Sequence, residues 1–307
     1  MLEKISHDLL KEWQAQPLEW KVDRSLLRIK QFYEKLGGKV YVSFSGGKDS
    51  TALLYLVRSI YPNTPAVHVN TGLEYPEIEE FVKTVDNVII IRPKKSFLEV
   101  INTWGYPVVS KEVSMDISRY RGTKDPKMKR FRLSGNHPDG RCGLHMGVIP
   151  KRWQYLVDAP FKISDYCCSV MKKEPFHRFQ RETELFPFIG TMASDSERRK
   201  RDFLNTGCNT FGERALSTPI AFWLEEDVWE YLRRNNIPYC KIYDMGERRT
   251  GCMFCMFGVH LEENPNRFRR MKTSHPQLWN YCMYKLGLFR VLEYMGIDSG
   301  VDSLEKF

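Results

Sequence analysis

No run of the roughly 18–20 apolar residues that a bilayer-spanning helix needs occurs in the 307-residue chain, and Met1-Leu2-Glu3-Lys4-Ile5-Ser6 lacks a basic-then-apolar export signal. No membrane role and a cytoplasmic location are therefore expected. Internal repeats and low-complexity tracts are also missing. The Walker spacing G-x-x-x-x-G-K-[ST] is absent, so a phosphate site of that kind is excluded. With no export signal, the eight cysteines argue against a disulfide framework and for metal binding, redox chemistry or burial.

What is present suits a folded protein: 42% hydrophobic and 28% charged residues, with a formal charge of +9. An excess of that sign suits an acidic partner, whether nucleotide, nucleic acid or protein. The segment 1–38 reads as helical, with Leu9, Leu10 and Trp13, then Leu26, Ile29, Phe32, Tyr33 and Leu36 recurring at intervals of three and four, until Gly37-Gly38 ends it. Lys39 to Phe44 then reads as a strand, Ser45-Gly46-Gly47 as a loop, and the residues through Leu53, Leu54, Leu56 and Val57 as a helix. Ala66–Val69 and Val88–Ile91 are further strands about a helix from Pro76 to Val85. Phe188 to Gly190 is a fourth strand and Ser217 to Phe222 a weaker fifth.

This alternation predicts an α/β domain over 39–225, a parallel β-sheet flanked by helices. Within it, about 112–150 reads as an insertion. Arg119, Arg121, Lys124, Lys127, Lys129, Arg130 and Arg132 crowd a stretch poor in aliphatics, and Ser134 to Gly140 is turn chemistry, so a long insertion or a mobile loop is expected there. Residues 226–307 read as a smaller helical region carrying Cys252-x-x-Cys255.

A glycine pair between strand and helix lets the backbone approach an anion, because no Cβ intervenes and the first helical N–H groups lack partners. The helix dipole adds attraction, Lys48 a full charge, and Ser45 and Ser50 hydroxyl donors. Taken alone, Gly46-Gly47 also suits a tight turn with Lys48-Asp49 at a helix start. The hexad Ser45-Gly46-Gly47-Lys48-Asp49-Ser50 in this setting resembles the signature of PP-loop enzymes, which bind ATP or a sulfonucleotide.

Further segments resemble the phosphoadenosine phosphosulfate (PAPS) reductase family. Asn70-Thr71-Gly72-Leu73-Glu74-Tyr75-Pro76 is similar to its Asp-Thr-Gly-x-x-Phe-Pro element, with Asn70 in place of Asp. Gly190 to Arg199 is similar to its Gly-x-Arg-x-x-Glu-Ser-x-x-Arg element, with Met192 and Asp195 in place of Arg and Glu. Met192 cannot make the bidentate anion contact of an arginine. Arg198 and Arg199 stand ready to compensate, or else form a solvated helix start. Pro219 to Trp223 with Asp227 to Leu232 resembles a third family segment and reads as core. The resemblance implies a PP-loop, HUP-like fold and a nucleotide site at Ser45–Ser50, Asn70, Thr71, Gly72, Gly190, Ser196 and Arg199. Lys48 and Asp49 would be its catalytic pair, and magnesium would accompany ATP.

Cys167-Cys168 and Cys252-x-x-Cys255 are two close thiol pairs, and thiolates ligate zinc or iron–sulfur clusters. A set of small buried residues is the plain alternative. The pairing resembles the [4Fe-4S] site of assimilatory sulfonucleotide reductases, in which a basic stretch and a proline follow, as Met171-Lys172-Lys173-Glu174-Pro175 does here. Cys208, Cys240 and Cys282 read as core. Cys142, in Arg141-Cys142-Gly143-Leu144-His145, matches the Cys-Gly-Leu-His tetrad of the reductases' tail, yet it lies inside the chain, and 283–307 has no cysteine. Chance likeness is the plain reading, and a nucleophilic Cys142 the sharper one.

Three functions are consistent with these features. One is sulfur transfer with ATP cleaved between its α and β phosphates and an acceptor adenylated, a sulfur donor or thiol carrier taking part. The second is PAPS or adenosine phosphosulfate (APS) reduction through Cys142. The third is a non-catalytic, nucleotide-sensing cluster protein that binds nucleic acid through its basic segments.

Overall fold

A computed structural model of the chain describes residues 4–143 and 146–301, so Leu144 and His145 of the tetrad, Met1–Glu3 of the start and the last six residues of the C-terminal region lie outside the described residues. The described residues form eight strands: β1 (Val40–Ser43), β2 (Ala66–Val69), β3 (Val88–Ile91), β4 (Val108–Val109), β5 (Phe186–Ile189), β6 (Asn209–Thr210), β7 (Leu216–Ser217) and β8 (Met256–Phe257). They belong to two compact units, each discontinuous in sequence. Unit 1 comprises Met1–Asn70, Glu74–Pro93 and Glu174–Gly251. Unit 2 comprises Thr71–Leu73, Lys94–Lys173 and Cys252–Phe307.

Unit 1 holds a six-stranded sheet in the order β3-β2-β1-β5-β7-β6, parallel except for β6. The chain runs outward from β1 to β3 on one side, then returns to place β5 on the other flank of β1. Helices cover both faces, as a parallel sheet requires. On one, Phe32 of the helix Leu18–Lys35 meets Phe188 edge-on at 5.1 Å. On the other, Tyr41 packs against Phe179 at 5.3 Å, with Val67 in the same cluster. The central strand β1 is apolar without alternation because neither of its faces meets water: Val40, Tyr41 and Val42 are all buried, whereas Ile89 and Ile90 of the edge strand β3 are exposed.

The helix Leu18–Lys35 is anchored by Lys21, whose ammonium is buried 2.6 Å from the carboxylate of Asp227. Asp227 also accepts from the Leu224 N–H, at 2.6 Å, and so caps the helix Glu225–Arg234. The expected strand from Ser217 to Phe222 stops at Ser217. Pro219 has no N–H to continue the ladder, and Ala221 N–H closes a turn onto the Thr218 carbonyl.

Unit 2 is mainly helical, with the parallel pair β4 and β8. Of the two readings of the basic segment, the mobile loop is overturned: the segment forms two helices, Lys111–Gly122 and Pro126–Ser134. Lys and Arg are good helix formers, Asp125 caps the second helix through the Lys127 N–H, and left-handed Gly135 ends it. Two of the seven basic residues turn inward. Arg132 pairs with buried Asp116 at 2.8 Å, and Arg121 donates to the carbonyls of Leu156, Val157, Ala159 and Phe161. Among the described residues no helix is long and apolar enough to cross a membrane.

Removing the Lys21 ammonium leaves Asp227 charged beneath the helix. Lys21→Ala is expected to cost about 3–5 kcal/mol in denaturant unfolding. A cost under about 1 kcal/mol would show that water reaches the pair.

Candidate functional site

In an open parallel sheet, ligands sit beyond the carboxyl ends of the strands where the chain reverses its order of winding. In unit 1 that place lies between β1 and β5. The loop after β1 is Ser45-Gly46-Gly47, and Lys48–Arg58 is the helix it opens. Gly46 has φ +75°, and a side chain there would meet Ile78 Cγ2 at 2.9 Å. Gly47 is extended, but a Cβ would collide with the Thr250 hydroxyl. Gly190, leaving β5, lies so close to the phosphate-loop helix that a Cβ would stand 2.9 Å from the Asp49 carbonyl oxygen.

The two serine hydroxyls expected as anion donors serve the loop itself. Ser50 Oγ lies 2.9 Å from the Gly47 carbonyl, accepts from Ser45 N–H at 3.1 Å and contacts Ser45 Oγ at 3.0 Å. They fix the turn that aims the helix. Its Lys48 N–H donates to the Tyr243 phenol oxygen at 2.8 Å, and Tyr243 lies 3.4 Å from Thr250 Oγ1. Tyr243 is held edge-on by Trp229 at 5.1 Å.

A cavity of about 410 Å³ opens at this point, lined by Lys48, Asp49, Met192, Ser194, Asp195, Arg199, Leu224, Glu225, Glu226, Tyr243, Arg249, Thr250 and Gly251. Lys48 Nζ stands 3.3 Å from Asp49 and 3.3 Å from Glu225. Burial acts to lower its pKa, but Asp49, Tyr243 and Glu225 outweigh that and the net shift is upward. Burial raises the Asp49 pKa despite Lys48. Asp49 Oδ1 is buried without a hydrogen bond, because the lysine approaches at ion-pair distance but out of line.

Of the family-like segment after β5, Asp195 accepts from the Met192 N–H at 2.9 Å and is ion-paired with Arg199. Arg199 thus reaches the cavity wall, whereas Arg198 is exposed and 3.9 Å from Asp202. Ser196 caps the helix Glu197–Thr206 and is not among the lining residues. Asn70 continues the β2–β3 pairing through its N–H to Ile91. Thr71 and Gly72 belong to unit 2, where Thr71 Oγ1 accepts from Leu73 N–H and the Leu73 carbonyl accepts from Met253 N–H at 2.8 Å. Tyr243, Glu225, Arg249 and Thr250 escaped the sequence reading. The acidic start Glu225-Glu226-Asp227 and the Arg248-Arg249-Thr250 triplet before the C-x-x-C were the available signals.

In unit 2, Cys167, Cys168, Cys252 and Cys255 lie within one another's fields. Burial pushes the Cys167 thiol up, reinforced by Cys252, Cys168 and Cys255 and opposed by Lys172. Burial also raises Cys255, while Arg267 and Lys172 oppose it. Arg267 additionally donates to the Cys255 carbonyl at 3.0 Å. Among the described residues no group of three or more His, Cys, Asp or Glu is placed to hold a metal ion. Cys208, Cys240 and Cys282 are buried. Cys142 is exposed, 3.5 Å from the Gly140 carbonyl, and neighbouring Arg141 is taken up by Asp139 at 2.6 Å.

The phosphoadenosine phosphosulfate reductase domain model matches residues 39–117 and 147–257, leaving out 118–146 inside the basic segment. The chain belongs to that family. An adenosine 5'-phosphosulfate reductase of Lysinibacillus sphaericus is 21% identical over 247 residues, covering 79% of this chain and 86% of the relative. An uncharacterized protein of Methanocaldococcus jannaschii is 25% identical over 272 residues, 84% of this chain and 50% of the relative. The chain thus spans about half the length of that curated relative. The PAPS reductase structure from Candida auris in phosphate complex aligns with a TM-score of 0.45 at 14% identity, covering 82% of this chain and 98% of that one.

Asp49 carries the clearest pH dependence. Its folded pKa lies above the ordinary 3.8, so its contribution to stability is present at acid pH and is lost as pH rises through the folded value. Asp49→Asn should therefore raise the melting temperature of the ligand-free protein at pH 7, by about 2–4 °C per kcal/mol gained, with the gain fading below pH 4. A lowered melting temperature at pH 7 would contradict the shift.

Proposed function

We propose that the chain is a magnesium–ATP-dependent enzyme of sulfur transfer, in which unit 1 binds ATP in the cavity beside Ser45–Ser50. The β and γ phosphates lie against the start of the helix Lys48–Arg58, where Gly46 and Gly47 give the backbone close access and Lys48 supplies charge. An acceptor oxygen attacks the α phosphorus and pyrophosphate leaves, its charge held by the loop and Lys48. Sulfur from a donor or thiol carrier then attacks the activated acceptor and displaces AMP. Tyr243 has accepted the Lys48 N–H, so its own proton is available to a phosphate oxygen in the cavity. Arg199 and Arg249 are the remaining cations of the wall.

The observation that carries this reading is the charge of the cavity. Against Lys48, Arg199 and Arg249 stand Asp49, Asp195, Glu225 and Glu226. A bare sulfonucleotide would meet a wall with no excess of positive charge. ATP brings its own cation, and magnesium is bound by one or two carboxylates together with substrate phosphates. Asp49 fits that task, since its buried Oδ1 has no hydrogen bond.

Cys167, Cys168, Cys252 and Cys255 would hold the [4Fe-4S] cluster in unit 2. The donor set is all thiol, the choice of iron–sulfur centres, and Lys172 and Arg267 offset its negative charge. Zinc is the alternative occupant, which iron and acid-labile sulfide analysis of anaerobic protein distinguishes. The cluster would supply redox or sulfur-binding chemistry, and the protein's part is to shield the thiols, Cys167 fully and the others in part, and to compensate their charge.

ATP–pyrophosphate exchange tests the reading. Exchange should require magnesium and fall at least 100-fold in Lys48→Ala, about 2.7 kcal/mol of transition-state stabilisation. Sulfite release from PAPS or APS with a thiol carrier, without exchange, would overturn it in favour of a reductase. Loss of that release in Cys142→Ser would then identify the attacking thiol.

A further inference from the structure

The net positive charge of the chain is confined to one unit. Unit 2 carries 23 Lys and Arg against 13 Asp and Glu, a formal +10, whereas unit 1 carries 24 against 25, a formal −1. The nucleotide cavity therefore owes nothing to this excess, and a separate anionic partner is called for.

Exposed aromatic rings accompany the charge. Among the described residues, Tyr155, Tyr166, Tyr281, Tyr284 and Tyr294 are exposed in unit 2, against Phe211 and Tyr239 in unit 1. Two of them meet. Tyr155 lies on the 3-10 helix Lys151–Asp158 and Tyr294 ends the helix Leu288–Tyr294, with ring centroids 5.8 Å apart and exposures of 41% and 40%. Phe161 supports Tyr294 edge-on at 5.5 Å, so the pair rests on a packed base.

Arginines flank the pair. Arg152 precedes Tyr155 by three residues, which eclipse in a 3-10 helix, and Arg290 precedes Tyr294 by four, the same face of an α-helix. Both arginines are exposed. Asp158 and Glu293 are the acidic residues of these two elements. The helix Lys111–Gly122 packs against both Lys151–Asp158 and Pro126–Ser134. Exposed Arg119, Lys124, Lys127 and Arg130 thereby extend the basic surface.

We propose that unit 2 binds single-stranded nucleic acid along the strip Arg152–Tyr155–Tyr294–Arg290, bases stacking on the tyrosines and phosphates contacting the arginines and neighbouring basic helices. Cations alone would suit any polyanion. A pair of exposed rings between cations suits unstacked bases, because every base offers a π face and a duplex hides it. Within the sulfur-transfer reading this strand is the acceptor class, and only in that respect does the inference rest on that reading.

Fluorescence anisotropy of the full chain, without nucleotide, with labelled 20-nucleotide single-stranded RNA, the same sequence as DNA, and its duplex tests the inference. Failure here leaves the exchange assay unaffected, and the two ideas fail separately. Single strands should bind more tightly than duplex, with affinity falling linearly in log salt. RNA preferred over DNA, or the reverse, identifies the source of the strand.

Tyr155→Ala and Tyr294→Ala should each weaken binding about fivefold or more without changing the salt slope, while Phe at either position restores it. Arg152→Ala and Arg290→Ala should each reduce the slope by about 0.7. Circular dichroism melting confirms that each variant is folded. Equal binding of duplex, heparin or phosphatidylserine vesicles, or folded tyrosine variants that bind as the parent does, would overturn the inference.

Discussion

The pairing of β1 with β5 is the constraint on which the nucleotide site depends. Four residues of each strand run parallel and in register, Val40 with Phe186 through Ser43 with Ile189. Their carboxyl ends emerge side by side, and the two chains must then part, because one continues into a helix and the other into a turn. The gap between them is the cavity. Gly190 permits the close approach and Gly46 the left-handed bend, so a Cβ at either position would push apart what the strands bring together.

Within that gap, electrostatics is poised rather than satisfied. Lys48 has two carboxylate neighbours, yet Asp49 remains partly out of line with it and buried at a cost. Such arrangements concentrate at functional sites, since a polar group left short of partners in the empty protein is one that a ligand can complete. The Tyr243 phenol, wedged by Trp229 and bonded to the Lys48 N–H, carries the helix's positive end one hydroxyl further into the cavity. Unit 2 follows a different logic. Cys167 is buried and Cys168, Cys252 and Cys255 are half-buried, with Lys172 and Arg267 set against thiolate charge, and the unit carries the chain's cationic excess.

Most of the sheet was legible because its signals are local. The apolar run Val40–Val42, the glycine pair and the 3.6-residue pattern after Lys48 lie within twenty residues of one another, and each has one economical structural reading. The strand expected at Phe188 to Gly190 is also present, but it runs from Phe186 to Ile189, since Glu184 has a left-handed backbone just before it and Gly190 leaves the ladder. The cavity's far wall was not legible, since Glu225, Tyr243 and Thr250 come from about 180 to 200 residues downstream and carry no periodic mark. The helices over 111–134 were not legible, because a stretch of few aliphatics and many charges carries no apolar periodicity. They are held by caps at Ser110 and Asp125, by Ile117 and Phe131, and by two arginines whose partners are distant carbonyls and one buried aspartate. In Ser217 to Phe222, Pro219 gave notice of the strand's early end.

Hydrogen–deuterium exchange of the full chain with and without magnesium–ATP tests the central claim most directly. Binding in the unit 1 cavity predicts slowed exchange confined to the backbone of 45–51, 190–199 and 243–250. Unchanged exchange in those three segments at saturating ATP, or protection that maps elsewhere, would contradict it.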